Sequence, residues 1–181
     1  MLKRLTVATM LFACFGTSAI ADNFIGGNGG GPFGPIECPR GTAIVGLAGN
    51  AGAVIDHMRL ICGTTNRPED DFVDNRMIGS SLGGGPIQTK CPAFQAVKSI
   101  QVGVTNFQGN FVISTINLTC MARLDGGFGP TLPFGNFQGA DAGNQGCANP
   151  ESFAVGLAGR SGDFIDAVGI SACVDRRNIG N

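Results

Sequence analysis

Tryptophan and tyrosine are absent from this 181-residue chain, histidine occurs once, and only 14% of its residues are charged. The lone histidine, His57, stands beside Asp56 in a segment with strand character. Neighbouring strand residues point to opposite faces, so the two cannot form a catalytic dyad. With 12 basic and 13 acidic residues scattered along the chain, there is no basic stripe to hold nucleic acid or an anionic membrane. No stretch of ten residues carries the apolar stripe of an amphipathic helix. The chain reads as all-β.

The only long apolar run is at the start. Lys3 and Arg4 precede an apolar stretch from Leu5 to Phe15, and Ala19-Ile20-Ala21 has the small-x-small pattern of a cleavage site. Residues 1–21 are therefore predicted to be a signal peptide cut after Ala21. The run is too short for a transmembrane span, and the mature chain is expected to be secreted or periplasmic. Cleavage removes Cys14, leaving six of the seven cysteines. An even count in an exported chain implies disulfides, and six cysteines allow 15 connectivities. Losing Lys3 and Arg4 leaves 10 basic against 13 acidic residues, a net charge of −3. Residues 22–181 are long enough for one domain with its own core.

Against these shortages stand 30 glycines, which argue for many tight turns. The cysteines bracket an internal repeat, with approximate units 22–70, 71–123 and 124–181. Val45-Gly46-Leu47-Ala48-Gly49 in the first bracket returns as Val155-Gly156-Leu157-Ala158-Gly159 in the last. Ile55-Asp56 likewise returns as Ile165-Asp166. The middle bracket is a degraded copy. Each bracket holds a turn near its midpoint, at Asn50 to Gly52, Thr105 to Gly109 and Arg160 to Gly162. Hairpins closed in this way predict the pairs Cys38–Cys62, Cys91–Cys120 and Cys147–Cys173, each contributing roughly 3 kcal/mol through unfolded-state entropy.

Period-two alternation places Ala43, Val45 and Leu47 on one strand face, and Phe153, Val155 and Leu157 on its counterpart. On the return strands, Asp56, Met58, Leu60 and Cys62 share a face, as do Ser114, Ile116, Leu118 and Cys120. Asp166 lies seven residues before its cysteine where Asp56 lies six before its own, so a bulge is predicted in the last copy. Glycine-rich leads precede the brackets. Three amphipathic sheets with this plan bury their inner faces together as a prism about a pseudo-threefold axis.

Gly26-Gly27-Asn28-Gly29-Gly30 with Phe33, and hairpins of the form Gly-x-x-x-Asp with Ile before the Asp, resemble the jacalin-related lectins. The Cys-Pro-x-Gly openings and paired cysteines are closer to the vitelline membrane outer-layer type of β-prism. Both resemblances imply the β-prism I fold, three Greek-key-like sheets. In jacalin-type lectins a sugar sits between a glycine-rich loop and the Gly-x-x-x-Asp loop. Carried over by position, the resemblance implies a carbohydrate site at Gly162 and Asp166 with Gly26, Gly27 and Asn28. A second would lie at Gly52 and Asp56, with Gly83 to Gly85. The middle hairpin, with Gly109 but no Asp, is expected to be silent.

The chemistry is sound without the family, since a carboxylate accepts bonds from adjacent sugar hydroxyls and glycine lets backbone approach the ring. An Asp after a hairpin turn also accepts bonds from the turn's own backbone, so a purely structural role for Asp56 and Asp166 stands beside the first. Phe164 is the only well-placed aromatic for stacking on a sugar, and millimolar affinity follows. Glu69, Asp70, Asp71 and Asp74 lack the calcium-loop pattern. Asn117-Leu118-Thr119 is an acceptor tripeptide meaningful only in a eukaryotic secretory route.

The chain is accordingly expected to be no enzyme and to need neither metal nor cofactor. Its expected partner is a glycan or another cell-surface or extracellular component, and an oligomer is compatible with weak single sites. The alternative is a structural, coat-like or host-interacting secreted protein with no sugar site.

Overall fold

The computed structural model describes residues 23–136 and 139–180. The predicted signal peptide, residues 1–21, with its Cys14, lies outside them. Among the described residues, β1 (Ile25–Gly26) and β2 (Gly31–Glu37) come from the first lead, and β3 (Ala43–Ala51) and β4 (Ile55–Gly63) form the first hairpin. After β5 (Phe72–Val73), β6 (Ile78–Gly79) and β7 (Gly85–Lys90) comes the middle hairpin of β8 (Gln95–Phe107) and β9 (Asn110–Ala122). The last hairpin, β12 (Ser152–Ser161) and β13 (Ile165–Asp175), follows β10 (Phe128–Gly135) and β11 (Ala140–Gly146).

Three antiparallel sheets result, in the orders β1-β13-β12-β2, β5-β4-β3-β7 and β10-β9-β8-β11. Each lead therefore joins a hairpin other than the one it precedes. The first lead pairs with the last hairpin, closing the molecule on itself. The sequence units and the sheets are out of step by one strand.

This offset changes what the disulfides do. The bonds are Cys38–Cys62, Cys91–Cys120 and Cys147–Cys173, with Cα atoms 5.6, 5.8 and 5.9 Å apart. The first cysteine of each pair follows a lead strand in one sheet, and the second lies on a return strand in the next. The three bonds thus link the three sheets in a ring, rather than stapling each hairpin to itself.

Bulges repeat with the same symmetry. Val45, Lys98 and Val155 each stand unpaired in the ladder of their hairpin. Their carbonyls accept the N–H of Cys91, Cys147 and Cys38, at 2.8, 3.2 and 2.7 Å. The extra residue overturns the simple alternation expected on the outgoing strands. Ile44 and Leu47 enter the main core, whereas Ala43 and Val45 join a smaller cluster with Met121, Phe153 and Ile179.

The return strands keep the expected face, with Met58, Leu60, Cys62, Ile116, Leu118 and Cys120 all in the main core. The bulge predicted in the last copy is present. Ala172 pairs with Gly156 and Ile170 with Leu157, which leaves Ser171 as the extra residue.

Two turns lie later than the sequence suggested. The chain reverses at Gly52–Val54 and Gly162–Phe164, with the N–H of Gly52 and Gly162 bonded to the carbonyls of Val54 and Phe164 at 2.9 Å each. Asn50 and Arg160 remain in strands, paired with His57 and Ala167 on the return strands.

Candidate functional site

The leads dock on the return strands through one arrangement made three times. Gly26, Gly79 and Gly135 have φ of 140°, 92° and 103°. A Cβ at any of them would strike the carbonyl oxygen of Asp166, Asp56 or Ser114, respectively. The next residue then donates its N–H to that carbonyl, Gly27 at 2.8 Å, Ser80 at 3.1 Å and Asn136 at 2.8 Å. Asp56, Ser114 and Asp166 are therefore equivalent positions, each beneath a lead loop.

At two of the three the loop lies directly on a carboxylate. Gly29 and Gly30 cover Asp166, and Gly83 and Gly84 cover Asp56. A Cβ at Gly30 or Gly84 would come within 2.5 Å of the corresponding Oδ2. At the third, Gly139 covers Ser114, whose hydroxyl already donates to the Gly103 carbonyl at 3.2 Å. A short hydroxyl engaged inside the fold cannot replace a carboxylate with spare lone pairs.

Residues of the outgoing strands fix the loops. Arg160 donates from Nε to the Gly29 carbonyl at 2.8 Å and from Nη2 to the Gly30 carbonyl at 2.7 Å. Asn50 occupies the matching register and donates from Nδ2 to the Gly83 carbonyl at 3.1 Å. Neither residue stood out in the sequence. Their partners are more than 30 residues away, and nothing local marks them.

Both carboxylates are nearly enclosed, Asp56 at 5% exposure and Asp166 at 6%. Burial pushes both pKa values above the usual 3.8, opposed at Asp56 by His57 and its own backbone N–H, and at Asp166 by Arg160 and the Gly162 N–H. Neither forms an ion pair among the described residues. The Gly162 bond is the turn cap that a structural role would supply. It uses one of the roughly four acceptor positions that a carboxylate offers.

Asp56 borders an open concavity of about 560 Å³. Its walls come from three hairpin ends and a lead, and include Leu82, Phe107 and Phe164. Phe107 and Phe164 meet edge to face, with ring centroids 5.2 Å apart. Phe164, placed by the sequence within the Asp166 loop, thus also lines the Asp56 concavity. Phe107 belongs to the hairpin expected to be silent, which hid it from sequence reasoning.

Gly26 and Gly27 set the backbone of the Asp166 loop, while Gly29 and Gly30 are the residues lying against its carboxylate. Asn28 is exposed at the loop's outer edge. Gly52 and Gly162 lie beside the loops, with an added Cβ 3.5 Å from Gly84 Cα and Gly30 Cα respectively.

The acidic segment is dispersed into separate pairs. Asp71 meets Lys90 at 2.6 Å, and Asp74 binds Arg76 at 2.9 and 2.6 Å.

No protein-family model and no curated protein matches this sequence. Solved structures do. Malaysian banana lectin is 25% identical with a TM-score of 0.58, over 81% of this chain and 92% of the lectin. Artocarpin in complex with mannotriose is 20% identical with a TM-score of 0.58, over 83% and 94%. Calystegia sepium agglutinin is 19% identical with a TM-score of 0.55, over 83% and 92%. The architecture is the β-prism I fold of the jacalin-related lectins.

Proposed function

From this fold, we propose that the chain is an exported, non-catalytic carbohydrate-binding module with two sites, one at Asp56 and one at Asp166. One observation carries the reading. The same carboxylate-under-glycine-loop arrangement is built twice from distant segments, at places where any side chain on the loop would cover the acceptor oxygens. A hairpin that only needed its turn fixed would not require a second segment stripped of side chains above the carboxylate.

In each site the carboxylate accepts two adjacent sugar hydroxyls, and loop and turn N–H groups are the complementary donors. At Asp56 the apolar wall of Leu82, Phe107 and Phe164 faces the C–H surface of the ring. Three disulfides suit an oxidising extracellular setting. Shallow polar sites of this kind bind single sugars at about 4 kcal/mol, so useful avidity needs both sites at once.

Glycan-array binding of the mature chain tests this, with mannotriose among the probes because artocarpin has been solved with it. Asp56→Ala and Asp166→Ala should each reduce binding, and the double variant should abolish it. Equal binding by all four proteins, or none by the unaltered chain, would discard both sites.

A further inference from the structure

Arg59 departs from the habit of other arginines in this molecule. Arg76, Arg123, Arg160, Arg176 and Arg177 each donate to a carbonyl or a carboxylate. Arg59 lies half-buried on the outward side of β4, and its Nε is enclosed with no hydrogen-bond partner. Two residues earlier on the same side, Nδ1 of His57 is also enclosed and unbonded. Enclosed nitrogens left in this state cost about 1–3 kcal/mol each, a penalty that a ligand supplying acceptors would remove.

The surroundings are shaped for such a ligand. Arg59 stands opposite Ala48 and His57 opposite Asn50, while Gln88 flanks Ala48 from the other side. The short Ala48 side chain leaves a trough between His57 and Arg59 on one bank and Gln88 on the other. Its volume is about 400 Å³, with Val73 and Ile87 also on its walls and no carboxylate among the lining residues. A guanidinium, an imidazole and a primary amide around a space with no carboxylate on its walls match an acceptor-rich anion. The carboxylate that acts on His57, that of Asp56, belongs to the opposite face of β4.

We propose that this trough binds an oxyanion, the carboxylate or sulfate of an acidic sugar-sized molecule. The Arg59 guanidinium supplies a planar pair of donors, His57 Nδ1 adds a third when it carries a proton, and the Gln88 amide a fourth. The trough is separate from the Asp56 concavity, although the two follow one another along β4. The proposal does not rest on sugar binding at Asp56 or Asp166.

Because His57 is the only histidine, its ring signals in an NMR spectrum need no assignment. The mature protein is titrated with glucuronate, glucose 6-sulfate and glucose, following the His57 ring and the Arg59 Nε–H. Saturable shifts of both with either acidic sugar, and none with glucose, are the expected result. A response to only one of the acids identifies the group recognised. Arg59→Gln should weaken the response roughly tenfold or more with the amide spectrum otherwise retained. If that variant does not fold, His57→Gln serves instead, read at Arg59 Nε. No saturable shift, an equal shift with glucose, or an undiminished one in the variant would overturn the proposal. Amide shifts at Gly29, Gly83 and their neighbours report the neutral-sugar sites separately, so failure of one reading leaves the other standing.

Discussion

The acid dependence of the molecule turns on two aspartates whose carboxyls are harder to ionise than usual. The folded pKa of Asp56 and of Asp166 lies above 3.8, so the folded state holds these protons more tightly than the unfolded chain. Between 3.8 and the raised values, their contribution to stability falls as pH rises, then stays level. Asp74, lowered by Arg76, works in the opposite sense: its contribution is full above 3.8 and is lost as pH falls through its folded value. The proposed sugar binding needs ionised acceptors. It should be complete above the raised pKa of the site aspartates and fade as pH falls through it, with a midpoint above 3.8 in titrations across a pH series. A midpoint at or below 3.8 would remove these carboxylates from the site.

Two glycine substitutions separate contact with the carboxylate from mere proximity. Gly83→Ala places a methyl group against Asp56 from a backbone with φ of 101°, so binding at that site should be lost and stability should drop by about 1–3 kcal/mol. Gly52→Ala meets its nearest neighbour at 3.5 Å and should change stability by less than about 0.5 kcal/mol. Thermal unfolding of both variants checks this. The sequence exposed the aspartates through their repeated Ile-Asp pairs and the leads through their glycines. It did not expose Arg160, Asn50 or Phe107, whose roles exist only after distant hairpins meet.

Strand by strand, the return strands were readable and the outgoing ones only in part. Met58, Leu60 and Cys62 keep strict alternation because β4 carries no extra residue between them, whereas the bulges at Val45, Lys98 and Val155 each shift the outgoing register by one. Gly46 and Gly156 follow two of these bulged residues, but the same Gly also fits an unbroken alternation, and Ser99 follows Lys98 in the middle copy, so the local sequence did not single the bulges out. At the middle one, Lys98 is buried, and its Nζ donates to the carbonyls of Cys147, Asn149 and Ser152 at 2.7, 2.5 and 3.3 Å. The ammonium ties the bend before β12 to β8. Lys98→Met should keep the packing volume but strand those carbonyls, costing about 1–3 kcal/mol in urea unfolding. A change below about 0.5 kcal/mol would mean that the carbonyls find other partners.

Across the whole molecule, three hairpins exchange their leads, and three disulfides close the circuit between sheets. The cysteine pairing was legible from the brackets, but its inter-sheet character was not, because each lead runs straight into a hairpin that it does not join. Replacing Cys91 and Cys120 by Ser should therefore loosen one sheet-to-sheet junction, with a cost of about 3 kcal/mol appearing as a lower denaturant midpoint. The same exchange of leads explains why both proposed sites combine residues far apart in sequence and why the middle hairpin contributes Phe107 rather than a site of its own. An amide NMR titration of the mature chain with a neutral oligosaccharide that it binds tests this account most directly. The account predicts saturable shifts in two groups, Gly29, Gly30 and Gly162 in one and Gly52, Gly83 and Gly84 in the other, with Gly103 and Gly139 unmoved. Shifts centred on Ser114, or confined to a surface away from both aspartates, would contradict it.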